Sequence, residues 1–170
     1  MPTFDEIRAQ HLREVSIHEV CHAFTALPRS EGLELTLNLN RNYPFLTGQK
    51  IWDGRVRVKV LDDDKYKDSV YGWAGIIGEA IEQDRAKAVA LAWERYQNVR
   101  KSVSDTDLKN IECVAEALRP KSALTAYDLL LGKWTEIKDV QTRAIKMIET
   151  RKLGNLTFGW LKTEGWLGLE

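Results

Sequence analysis

The sequence predicts an α+β fold, mostly helical and in a single domain, and three observations carry the prediction. The N-terminal stretch and nearly everything after Val70 place apolar residues at helical spacing. Two short stretches between them alternate with the two-residue period of a strand. The 170 residues suffice for one core and not for two. A chain of that length buries roughly 70% of its unfolded surface without disulfides, so the domain is expected to span 1–170.

From Phe4 to Leu27, the residues Phe4, Ile7, Leu12, Val15, Ala23 and Ala26 fall close to the 3.6-residue period, and Pro28 closes the stretch. Leu33, Leu35, Leu37 and Leu39 then alternate with Glu34, Thr36, Asn38 and Asn40, and Val56, Val58 and Val60 alternate with Arg55, Arg57 and Lys59. These are read as half-buried strands. Arg41-Asn42-Tyr43-Pro44 reads as a loop and Asp62-Asp63-Asp64-Lys65 as a solvated turn, since the aspartates lack the Asp-x-Asp-x-Asp-Gly order of a calcium loop. Helices are expected over 70–83, 86–101, 105–118, 121–131 and 134–151, with turns at Pro120 and Gly132. The sheet is therefore expected to be small.

Charge narrows the partners. With 25 Lys+Arg against 25 Asp+Glu and no long run of one sign, the composition gives no footprint for nucleic acid or an anionic membrane. No stretch approaches the roughly 18 uninterrupted apolar residues of a membrane span, and Met1 to Glu6 lacks the charged-then-apolar build of a signal peptide. The two cysteines, Cys21 and Cys113, lie far apart in helix-like segments and fit a reduced protein better than a disulfide scaffold. The expected location is the cytoplasm.

All three histidines fall within residues 11–22, and two of them form His18-Glu19-Val20-Cys21-His22. On a helix, positions i and i+4 share a face, so two imidazoles can reach one tetrahedral zinc while the glutamate beside His18 faces the open coordination position. Random placement of the same residues would produce this pattern in about 0.3% of shuffled sequences. Reading the pair as ordinary surface histidines leaves its place inside an amphipathic helix unexplained. His11 lies two turns before His18, about 10.5 Å along the axis, too far for the same ion. Cys21 points about 100° away from His22 and reads as a small buried residue behind the site.

A catalytic zinc takes three protein ligands and keeps a fourth position for water. A metzincin extension is excluded, because Thr25 and Pro28 stand where its glycine and third histidine belong. The remaining donors are Cys113, Glu79 in Gly78-Glu79-Ala80-Ile81-Glu82, and an aspartate of Ser104-Asp105-Thr106-Asp107-Leu108.

Val15-Ser16-Ile17-His18-Glu19-Val20-Cys21-His22-Ala23, then Ala74-Gly75-Ile76-Ile77-Gly78-Glu79, then Ser104-Asp105-Thr106-Asp107-Leu108-Lys109-Asn110 form an ordered series. This series resembles the peptidase domain of FtsH-type AAA proteases, with its His-Glu-Ala-Gly-His helix, Ala-Gly-x-x-Ala-Glu helix and Ser-x-Asp-Leu stretch. The stretch from Ala126 to Leu161 is similar in rhythm. The resemblance implies a zincin-like helical domain with a small sheet, a Zn2+ cofactor, and Asp107 as third ligand with His18 and His22; Asp105 is the runner-up. The departures are Cys21 in place of the family's usual glycine, Ser104 one residue further from Asp107, and no Gly-x-x-x-x-Gly-Lys-Ser/Thr loop of an ATPase module. Ser104 and Asp107 also fit a helix cap, in which an acid at the third helical position complements the helix dipole.

The expectation is a zinc metallopeptidase in which Glu19 is the general base, acting without ATP on peptides or already unfolded proteins. Its rivals are a zinc-braced binding module, which has no need of Glu19, and a zinc hydrolase of small amides or esters. The tail carries Trp160 and Trp166, which are either core or a surface for docking a second copy of the chain into a homo-oligomer.

Overall fold

A computed structural model describes residues 1–40 and 51–170, so the loop expected at 41–44 lies outside the described residues. The architecture is α+β and mostly helical, with one antiparallel four-stranded sheet. Helix α1 (Phe4–Ala26) opens on a capping box: the Glu6 N–H donates to the Thr3 hydroxyl at 3.3 Å, and Thr3 N–H donates to the Glu6 carboxylate at 2.6 Å. Strands β1 (Gly32–Leu39) and β2 (Trp52–Val58) follow, then helices α2 (Lys65–Gln83), α3 (Ala88–Asn98), α4 (Asp105–Ile111), α5 (Arg119–Gly132) and α6 (Trp134–Arg151). The chain ends in β3 (Asn155–Leu161) and β4 (Gly165–Leu167).

The spatial order of the sheet is β2-β1-β3-β4, so the last part of the chain returns to pair with β1. Leu35 stands between Val56 and Phe158, and Leu37 between Gly54 and Leu156. Leu33, Leu35, Leu37, Leu156 and Phe158 are buried, as are Val20, Ala23 and Phe24 of α1, all in one hydrophobic core. Among the described residues β2 and β4 are the edge strands.

The structure departs from the sequence expectations at several borders. The sheet has four strands and not two, because the Leu156/Phe158 alternation is too short to read without its partner β1. Trp166 stacks on Phe24 and packs on Phe158, each at 5.7 Å, and Trp160 also packs half-buried against the core. Strand β2 begins at Trp52 and ends at Val58, leaving Val60 exposed. Helix α2 begins at Lys65, where Asp64 caps it by accepting from Lys67 N–H at 3.1 Å. The neighbouring Asp62 pairs with the buried Arg29 at 2.6 Å. Helix α4 stops at Ile111, whose carbonyl accepts the Ser69 hydroxyl at 3.0 Å. Pro120 lies in the first turn of α5, where a missing N–H costs nothing. None of the helices among the described residues is long and apolar enough to cross a membrane.

The feature that positions the site is the approach of α2 to α1. A β-carbon on Gly78 would lie 2.3 Å from Cys21 Sγ, and one on Gly75 would lie 2.4 Å from the His18 ring. These glycines therefore set the helix separation through missing atoms. A buried glycine within a helix usually gives way to alanine with a gain of about 0.5–1 kcal/mol, whereas forcing a methyl into filled space costs about 1–3 kcal/mol. Gly78→Ala is accordingly expected to lower the melting temperature in the native background and to cost much less beside Cys21→Ala. Thermal melts of the four proteins measure this coupling; an equal effect of Gly78→Ala in both backgrounds would show that the sulfur contact is not the constraint.

Candidate metal centre

Helix α1 presents His18 and His22 one turn apart, and the first turn of α4 brings Asp107 against them. The two Nε2 atoms are 3.1 Å apart. Asp107 Oδ1 lies 3.2 Å from His22 Nε2 and Oδ2 lies 3.3 Å from His18 Nε2. One ligand atom from each of the three residues falls within 4.8 Å of the others. His22 and Asp107 are almost fully buried, at 4% and 3% exposure.

The outer ring nitrogens fix what the inner ones offer. His22 Nδ1 lies 2.9 Å from the backbone carbonyl of Tyr71, which can only accept, so the Nδ1–H donates and Nε2 is the nitrogen that faces inward. His18 Nδ1 lies 2.5 Å from Glu79 Oε1. The other Glu79 oxygen is held at 2.6 Å by Arg95 Nη1, while Arg95 Nε and Nη2 donate to the Ser102 hydroxyl at 3.0 Å and its carbonyl at 2.8 Å. Burial works against the charge of Glu79, yet His18 and Arg95 hold its carboxyl below the usual carboxylate range.

The interior of this cluster is rich in acceptors. Asp107 Oδ2 is buried without a hydrogen bond, and the Asp107 carboxylate faces His22 Nε2. Burial opposes charge on both partners, but the two histidines hold Asp107 well below its ordinary range, and Asp107 and Glu79 raise His18 to about 10. A cation is what these groups lack. In the metal-free fold a proton on His18 supplies it: because the folded value lies above the ordinary 6.5, that contribution to stability is fully present below pH 6.5 and is lost as the pH rises through about 10. Two imidazole nitrogens and one carboxylate oxygen also match the three-ligand set of an open zinc site, and the orphaned Oδ2 is the observation that makes them fit a metal.

The cluster opens into a cleft of about 500 Å³, which Glu19, Tyr71, and Trp52 to Val56 of β2 also line. Glu19 is not part of the donor cluster. Its side chain rests on β2: a β-carbon on Gly54 would lie 2.2 Å from Glu19 Cγ. Gly54 belongs to the inward row Trp52, Gly54, Val56, and the space left by its missing side chain is occupied by Glu19. His11 accepts the Trp52 N–H on Nδ1 at 3.0 Å, which ties the start of β2 to α1.

The residues singled out in the sequence thus separate into inner and outer groups. His18, His22 and Asp107 meet, with Glu19 in the same cleft, and Glu79 supports His18 from behind. Asp105 is exposed on the other side of α4. Cys113 is exposed and donates to the Lys65 carbonyl at 3.1 Å. Cys21 is buried against Gly78, where burial pushes its thiol up. The cap and ligand readings of Asp107 are compatible, since its backbone N–H donates to the Ser104 hydroxyl at 3.1 Å while its carboxylate turns to the histidines. Sequence reasoning did not find Arg95, the Tyr71 carbonyl or Gly54. A backbone carbonyl leaves no trace in residue type, and Arg95 is one arginine among many.

Compared with known proteins, the chain matches no family model and no curated sequence.

Two metal analyses after dialysis test the arrangement. Asp107→Ala is expected to lose bound zinc while Asp105→Ala retains it, because only the first removes a donor atom; retention of zinc by both would dismiss the cluster. Glu79→Gln is expected to keep the fold but weaken zinc affinity about 10- to 100-fold, the usual effect of removing a carboxylate behind a metal-bound imidazole.

Proposed function

We propose that the chain is a zinc-dependent metallopeptidase, related in fold to the peptidase domain of FtsH-type proteases. The observation that carries this reading is the separation of roles in the cleft. Three donors converge from α1 and α4, while Glu19, one residue from His18, stays outside the donor set and lines the same opening. A metal that merely braced the helices would be served by a closed shell and has no use for a carboxylate at its open side. The order of the elements supports the proposed kinship: the His18/His22 helix, a β region, the α2 helix with Gly75 and Glu79, and Ser104 to Asp107 opening α4.

His18, His22 and Asp107 would hold the zinc, which supplies Lewis acidity toward a water and the scissile carbonyl. Glu19 accepts the proton of the attacking water and returns it to the departing amine. Gly54 presses on the Glu19 stem and limits the directions its carboxylate can take. Glu79 and the Tyr71 carbonyl fix the planes of the two imidazoles so that both Nε2 atoms stay inward. The edge strand β2 borders the cleft, and its outer backbone groups suit an extended peptide adding as a further strand. An extended substrate must already be unfolded, and the sequence carries no phosphate-binding loop through which ATP would drive unfolding.

Glu19→Gln is expected to retain zinc and melting temperature while losing at least about a hundredfold in kcat on a fluorogenic peptide, as removal of a general base does. Undiminished turnover in that variant would refute the mechanism. Wild-type protein is further expected to cleave casein at the same rate with and without ATP and to stop when a chelator is added; an absolute requirement for ATP would reveal a nucleotide site that this reading does not contain.

A further inference from the structure

The cleft contains a phenol that the peptidase reading leaves unused. Tyr71 lies on α2 and lines the cleft with His18, Glu19, His22 and Asp107. It is held to His22 twice. Its backbone carbonyl takes the Nδ1–H at 2.9 Å, and its ring packs on the imidazole with centroids 4.6 Å apart and planes tilted by 35°. Among the described residues nothing hydrogen-bonds the Tyr71 hydroxyl, although a half-buried phenol ordinarily finds a partner. The neighbouring cavity of about 530 Å³ between α1, α2, α3 and α6 differs in this respect, since its carboxylates Glu14, Glu79 and Glu82 are already paired with Gln10, Arg95 and Lys138.

We propose that Tyr71 is a catalytic residue whose hydroxyl donates a hydrogen bond to the carbonyl oxygen of the scissile peptide as that oxygen gains negative charge. The assignment rests on the peptidase reading and adds to it a neutral donor held beside the candidate metal ligands. Of the other donors that line the cleft, Arg95 is already committed to Glu79 and Ser102, and Tyr71 is the one whose ring packs directly on a metal-donor imidazole. A neutral phenol is such a donor, and its attachment to His22 keeps it beside the metal centre without reorganisation.

In the step, the water oxygen bonds to the carbonyl carbon, the π pair moves onto the carbonyl oxygen, and Glu19 takes one water proton. When that pair returns to re-form the carbonyl, the C–N bond breaks and Glu19 passes its proton to the departing nitrogen. The second water proton stays on the new carboxyl group and leaves to solvent. Tyr71 keeps its own proton throughout. Its hydrogen bond strengthens as the oxygen becomes anionic, so it acts on the transition state more than on substrate binding.

Tyr71→Phe isolates the hydroxyl, because the ring and the backbone carbonyl remain. Zinc content and melting temperature are expected to match the wild type, with kcat on the fluorogenic peptide falling about 100-fold and KM changing by less than about threefold. A phosphinic peptide, whose tetrahedral anionic group imitates the addition stage, is expected to bind the variant weaker by a similar factor in calorimetry, with the affinity of a product peptide unchanged. Unaltered kcat and phosphinic affinity in Tyr71→Phe, beside an active wild type, would overturn this assignment and leave the peptidase reading standing. Loss of zinc from Tyr71→Phe would likewise overturn it, by making the hydroxyl structural. A zinc-loaded wild type that neither cleaves peptides nor binds the phosphinate would overturn both.

Discussion

The contact between α1 and α2 governs the rest of this protein. Gly75 and Gly78 leave no side chain between the helices, so the His18 ring and the Cys21 sulfur fill space that β-carbons would occupy. At that separation Glu79 and the Tyr71 carbonyl, which both belong to α2, come within hydrogen-bonding reach of the outer nitrogens of the two histidines. A larger residue at either glycine would move both supports together. Gly72 continues the line: a β-carbon there would lie 2.8 Å from the Asp107 carbonyl, so the same helix face also seats α4 and with it the third donor.

The electrostatic arrangement follows from this packing. Charge runs in alternation from Arg95 through Glu79 to His18 and on to Asp107, each pair within 3.3 Å. Burying such a row is costly unless every member is compensated, and the one buried atom of the row without a hydrogen bond is Asp107 Oδ2 at the inner end. An acceptor-lined centre with hydrogen-bonded outer edges favours a cation and holds its ligands in fixed tautomers. This rigidity lies behind the cleft, while the open side is left to Glu19, Tyr71 and the edge of β2.

The strand itself is anchored for the same purpose. His11, which is too far along α1 to join the candidate donor cluster, accepts the Trp52 N–H and brings the start of β2 onto the helix. From there Gly54 reaches Glu19 and Leu37 at once, so the sheet and the proposed general base share one contact. All three histidines of the chain thus serve one site, two through Nε2 and one through the strand that borders it.

The helix-bound part of the site was legible in the sequence because His18, Glu19 and His22 lie within one helical turn and a bit, where spacing alone fixes their relative directions. The same holds for α1, for β1 and for α6, whose periodicities are long enough to stand without partners. Asp107 was reachable only through the order of motifs, since its local pattern with Ser104 is equally that of a helix cap; its backbone N–H makes that cap while its carboxylate turns to the histidines. What the tertiary structure decided depends on contacts between distant segments: the pairing of β3 with β1, which rescues the short Leu156/Phe158 alternation from being read as tail, the Arg95–Glu79–His18 row, and the carbonyl of Tyr71. Residue type is silent on these because a backbone oxygen has no code, a short strand has no stability without its neighbour, and an arginine acquires a role only from the carboxylate the fold places beside it.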